Sequence, residues 1–168
     1  LDDLISFKKN NDFFKIKFYG KMELDELEQF LMRKVDLLMS MGTSALEGAR
    51  LGLPTILLDA SYFKVPIDYK FKWVYNSDGS NVAQFIESED YFNEGDSFDE
   101  ILDALFKNPS SIGYKCRLYV EEHHSPKVVS EKLLSAMERS SFLWEDINRY
   151  FLRKNIFRKI YDLIRYKK

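Results

Sequence analysis

Two apolar runs constrain this chain more than any other feature: "VDLLMSM" (Val35–Met41) and the run from Pro54 to Ala60. Neither alternates polar with apolar residues over its length, so each reads as a strand buried on both faces. What separates them matters as much. A small-residue turn, Gly42-Thr43-Ser44, leads into a helix-length stretch from Ser44 to Leu51, and Gly52-Leu53-Pro54 then leads into the second run. A hairpin needs only a tight turn, whereas a helix between two strands is the connection that parallel strands require. Upstream, "KIKFYG" (Lys15–Gly20) reads as a strand closed by glycine. "LDELEQFLMRK" follows, with Leu24, Leu27, Phe30 and Leu31 at helical spacing. Strand and helix alternate, so the expected class is α/β, a Rossmann-like parallel sheet flanked by helices.

The remaining pattern is less regular. Leu1–Lys9 reads as the end of a helix. Phe71, Trp73 and Tyr75 alternate as in a short strand, and Asn76–Gly79 supplies turn residues. Phe98–Phe106 and Pro126–Arg139 read as helices, the second with Ser125 as N-cap and Pro126 at its first position. The last 28 residues read as an amphipathic helical tail, with Leu143, Ile147, Tyr150 and Phe151 at helical spacing, then Phe157, Ile160, Tyr161 and Ile164. The expected division is a Rossmann-like domain over 1–140 and the basic tail over 141–168. There is no internal repeat and no low-complexity segment.

Charge separates the two parts. The whole chain of 168 residues carries a net −2, which argues against nucleic acid as a partner. Residues 141–168 hold 8 Lys/Arg against 3 Asp/Glu, leaving 17 basic and 24 acidic groups in the rest. An apolar face beside that positive excess suits a helix lying on an anionic membrane surface, with a helix packed on protein as the alternative. Phe85–Ala104 holds eight acidic residues and no basic one, read as a solvated loop and helix start. No run approaches the ~20 apolar residues of a membrane span. The single Cys116 excludes an internal disulfide, agrees with a reducing, cytoplasmic location, and reads as a small buried hydrophobe. The amino terminus has neither an initiator Met nor a signal-peptide pattern, as expected of the cut end of a longer chain.

Gly42, Thr43 and Ser44 fall where a parallel strand ends and a helix begins. Ligands of open α/β sheets bind at such carboxyl ends, and a helix start offers unpaired N–H groups and a positive dipole end to a phosphate. Gly42 permits close backbone approach, and the hydroxyls of Thr43 and Ser44 add donors. Glu47, one turn further on, suits a pair of sugar hydroxyls. A structural reading stands beside this one: "SALE" is a capping box, with Ser44 capping the helix and Glu47 bonding back to it. Asp59, at the end of the second strand, falls in the same crevice by topology.

The stretch "VDLLMSMGTSALEGARLGLPTILLD" resembles the donor-binding segment of glycosyltransferases of the GT-B fold. Those enzymes face two Rossmann-like domains across a cleft, the carboxyl-terminal one holding a nucleotide-sugar. The resemblance implies that Gly42, Thr43 and Ser44 hold the diphosphate and Glu47 accepts from the ribose hydroxyls. Gly52 and Pro54 would turn the chain into the next strand. It implies an enzyme whose donor substrate is a nucleotide-sugar, with no further cofactor and no metal. It also implies an amino-terminal acceptor domain outside this chain, and this half alone as inactive. Many retaining members carry a second glutamate eight positions before the ribose one; Met39 stands there instead. The basic residue that members commonly set against the diphosphate would precede Leu1. A nucleotide-sugar epimerase of the same fold and a non-catalytic nucleotide- or phosphosugar-binding module are the rival readings.

Other residues carry weaker signals. His123 and His124 are adjacent, so on a helix they point ~100° apart and suit one metal poorly; a place in the turn before Ser125-Pro126 is expected. Tyr62, Phe63 and Trp73 could flank a nucleobase, or fill a core or interface. No Ser-His-Asp or Cys-His arrangement and no Walker loop is visible.

Overall fold

A computed structural model describes residues 15–78 and 81–141. The chain divides into two compact units, Leu1–His123 and His124–Lys168. The helix read at Leu1–Lys9 and the tail at 142–168 lie outside the described residues.

In the first unit, helix α1 (Leu24–Lys34) precedes strand β1 (Leu38–Ser40), helix α2 (Gly42–Arg50) and strand β2 (Thr55–Leu57). Strand β3 (Lys72–Trp73) runs into a short 3-10 turn at Val74–Asn76, and helices α3 (Phe98–Lys107) and α4 (Pro109–His123) complete the unit. The class is mixed α/β. The sheet order is β1-β2-β3. As the helical connection requires, β1 and β2 are parallel, Leu38 opposite Thr55 and Ser40 opposite Leu57. The expectation of a wholly parallel sheet is corrected at β3, which runs antiparallel, Ile56 opposite Trp73. Between β2 and β3 the chain forms a loop with no helix, so nothing carries it back to the other end of the sheet before it pairs.

β2 is buried on both faces, with Thr55 and Ile56 wholly inaccessible. Ala45 and Ala49 of α2 and Ile112, Cys116, Tyr119 and Val120 of α4 pack with Ile56, Trp73, Val74 and Ile101 into one core. Cys116 is the buried hydrophobe its composition suggested. Burial pushes its thiol up to about 11, and its Sγ lies 3.9 Å from the Thr55 carbonyl. Two glycines set how closely layers approach. A Cβ on Gly48 would fall 2.1 Å from the end of the Leu38 side chain, and one on Gly113 would fall 2.1 Å from the carbonyl oxygen of Gly52. So α2 lies tight on β1, and α4 lies on the Gly52-Leu53-Pro54 turn.

The strand expected at Lys15–Gly20 does not form; the segment is irregular and mostly exposed. Apolar alternation makes a strand only beside a partner with free backbone groups, and among the described residues none pairs with it. Tyr19 instead packs on Phe30 of α1, with the Lys17 ammonium 4.5 Å from the centre of the Tyr19 ring.

In the second unit, helix α5 spans Pro126–Arg139 as read from the sequence. Ser125 caps it, accepting from the Val128 N–H at 3.5 Å, and Pro126 stands in the first turn.

Candidate functional site

The carboxyl ends of β1 and β2 gather the residues that sequence singled out. At the end of β1, Met41 is extended and Gly42 takes a left-handed φ of 59°, which reverses the chain directly into α2. The turn therefore needs glycine for its conformation: a Cβ would meet nothing within 4 Å. The helix starts two residues earlier than expected, so Thr43 and Ser44 belong to its first turn and both are exposed. Gly42 donates its N–H to the Val82 carbonyl at 3.1 Å. The next N–H groups of a first helical turn have no helical acceptor and lie at the positive end of the dipole.

The capping box read at Ser44 and Glu47 does not form, because Met41 occupies the N-cap position and no side chain caps the helix. Starting at Gly42 moves Ser44 past the cap position. A capping box with both bonds in place occurs elsewhere, at the start of α3. There Ser97 Oγ accepts from the Glu100 N–H at 3.4 Å and the Glu100 carboxylate accepts from the Ser97 N–H at 2.8 Å. The Ser97 hydroxyl also donates to the Glu100 carboxylate at 2.7 Å, and this bond first, then the one from the Ser97 N–H, holds the Glu100 carboxyl below its usual range. The acidic run from Phe85 is, as read, mainly exposed loop ending in that helix start.

Glu47 is engaged by Arg50 instead. Arg50 Nε donates to Glu47 Oε2 at 3.1 Å and Nη2 stands 3.0 Å from the same oxygen as an ion pair, while Nη2 donates to Glu28 of α1. The bonds to Glu28 first, then to Glu47, raise the guanidinium's pKa.

Asp59 sits just past β2 and ties three segments together. Its Oδ1 accepts from the Gln84 N–H at 2.9 Å; its Oδ2 accepts from the hydroxyls of Tyr69 at 3.2 Å and Tyr91 at 3.3 Å. Its own N–H donates to the Tyr69 oxygen at 2.9 Å. Burial, then the nearby Asp59 charge, raises Tyr91, and burial pushes Tyr69 up to about 12. Both carboxylate oxygens thus hold the protein's own chain. The segment Val82–Glu87 runs past the ends of both strands: Val82 meets Gly42, Gln84 meets Asp59 and Ala60, and Glu87 accepts from the Tyr62 N–H at 3.2 Å. A polar cavity of about 110 Å³ opens beside it, with Asp59, Lys72, Asn76, Ser77, Gln84 and Glu94 among its walls. Sequence reasoning missed Tyr69, Gln84 and Tyr91, because nothing in their spacing marks them as partners of one aspartate.

The three aromatics part company. Trp73 is core, 3% exposed and stacked on Tyr75, so it flanks no ligand at the surface. Tyr62 and Phe63 are 81% and 77% exposed, Tyr62 stacking on Phe85 with ring centres 5.3 Å apart. His123 ends α4 with its ring 4.9 Å from that of Tyr119. Among the described residues, no group of three or more His, Cys, Asp and Glu side chains is placed to hold a metal ion. Nor is any described helix long and apolar enough to cross a membrane.

No family model matches this sequence, and neither curated proteins nor solved structures match it.

Proposed function

We propose that the chain is the donor-binding half of a GT-B glycosyltransferase, moving a sugar from a nucleotide-sugar to a glycan or lipid-linked acceptor. The observation that carries the proposal is the turn at Gly42. It joins a strand paired in parallel with the next to a helix whose exposed first turn presents N–H groups and two hydroxyls. That is anion-binding geometry at the carboxyl end of a parallel pair. Glu47, one turn on and 57% exposed at its side chain, is reachable by a ribose. On this reading β1, α2 and β2 are part of a larger Rossmann-like sheet, with β3 as an antiparallel strand at one side, an arrangement known in mixed sheets. Asp59 is then a support for the loops around the donor rather than a contact to it. The protein contributes orientation and stabilisation of the leaving diphosphate, and the acceptor comes from an amino-terminal domain. The basic sequence at 141–168 suits attachment to the cytoplasmic face of an anionic membrane.

Calorimetry against UDP, GDP, ADP and CDP tests the reading. At least one should bind, and Glu47→Gln should weaken it while the melting temperature holds. The 168-residue chain alone should release no sugar, since half of a cleft leaves the donor solvated. The absence of any nucleoside diphosphate binding to the intact protein would sink the proposal.

A further inference from the structure

Arg50 ends α2 between two carboxylates, Glu47 on its own helix and Glu28 on α1. Stability does not account for the arrangement. The three side chains are 49%, 57% and 31% exposed, and exposed ion pairs contribute little once water and salt screen them. Nor does the clasp close over a core, because α1 buries none of its residues. What the network fixes is the side chain of Glu47. Glutamate is among the residues that lose most rotamer freedom when held still, so a carboxylate oriented beforehand binds at smaller entropic cost. The planar guanidinium donates through Nε to Oε2 of Glu47 and through Nη2 to Glu28, and Oε1 of Glu47 stands outside that fork.

We infer that Arg50 is the positioning residue for Glu47, anchored from α1 by Glu28, so that the outer oxygen of Glu47 meets the ribose hydroxyls of a nucleoside diphosphate. The inference rests on the donor-site reading above. It makes ribose recognition depend on α1, a helix that sequence alone gives no role in the site. Lysine could not replace arginine here, since a single ammonium offers no planar fork to two carboxylates.

The test is a double-mutant cycle in the intact protein, read as affinity for whichever of UDP, GDP, ADP and CDP binds most tightly. Arg50→Ala should weaken binding about five- to tenfold, the loss expected when one long side chain must be ordered on binding. Arg50→Lys should recover only part of that, and Glu28→Gln should produce a smaller loss. Glu47→Gln should weaken binding at least as much as Arg50→Ala, and the double variant no more than Glu47→Gln alone. The corresponding 2′,3′-dideoxynucleoside diphosphate should bind equally to wild type and Arg50→Ala. Melting curves identify any variant that fails to fold, and Arg50→Lys and Glu28→Gln then carry the comparison. Additive losses, or wild-type affinity in Arg50→Ala beside a weakened Glu47→Gln, overturn the positioning role alone. Unchanged affinity in Glu47→Gln, or no binding of any nucleoside diphosphate, overturns the donor-site reading and this inference with it.

Discussion

Replacing Gly113 with alanine should destabilise the protein, although alanine is the better helix former. Gly113 lies within α4, where the exchange would ordinarily gain up to ~1 kcal/mol. Here the new methyl would stand 2.1 Å from the Gly52 carbonyl oxygen and 3.1 Å from its carbon. Ordinary contact begins at 3.4 Å, so helix and turn must separate by about 1.3 Å. The obstacle is backbone, fixed between α2 and β2, so it cannot swing aside as a side-chain end would. Separation would loosen Ile112, Cys116 and Val120 from the core they share with Ala45 and Ile56. Overpacking of this kind costs roughly 1–3 kcal/mol or more, and rigid backbone puts this case at the upper end, giving a net loss of about 2 kcal/mol. For a chain of this size that lowers the melting temperature by roughly 4–8 °C. Urea denaturation followed by far-ultraviolet circular dichroism measures it, with the midpoint falling and the slope unchanged. A midpoint equal to wild type or higher would refute the close crossing of α4 over the Gly52-Pro54 turn.

Gly42→Ala should cost about 1–2 kcal/mol from the left-handed φ alone, since open space surrounds the position; denaturation should find that much, and a stabilised variant would contradict the turn. Burial raises Tyr69 and Tyr75 to about 12 and lifts Tyr91 too, so all three are protonated in the fold beyond the usual value of 10.0. Their contribution is complete below pH 10 and is lost as pH rises through the raised values of the fold, about 12 for Tyr69 and Tyr75. A titration at 295 nm should therefore find late-ionising tyrosines coupled to unfolding, and all ten titrating together near pH 10 would count against the Asp59 network. Co-sedimentation with anionic vesicles should require residues 141–168 and weaken with salt; equal pelleting without them removes the membrane role.

Some elements were legible because their signals are local. β1, α2 and β2 follow from two apolar runs joined by a helix-length segment, and their parallel pairing follows from that connection. Ser125-Pro126 marks the start of α5, and the lone Cys116 is buried as its chemistry favours. Helix α4 went unread, although Ile112, Cys116, Tyr119 and Val120 recur at helical spacing, because a glycine and many polar residues dilute the pattern. Only the folded chain shows why Gly113 must be there. Tertiary structure alone decided the rest. "SALE" and "SFDE" both carry the capping-box pattern, yet only Ser97 and Glu100 form it, because the reversal at Gly42 starts α2 before Ser44. Glu47 was thereby left for Arg50, and through it for Glu28, 22 residues from Arg50 in the chain. Asp59 likewise draws its partners from 10 to 32 residues away. Spacing along a chain records which side chains share a helix or strand face. Which segments those faces meet depends on how the strands pair and the loops cross their ends, and no local pattern encodes that.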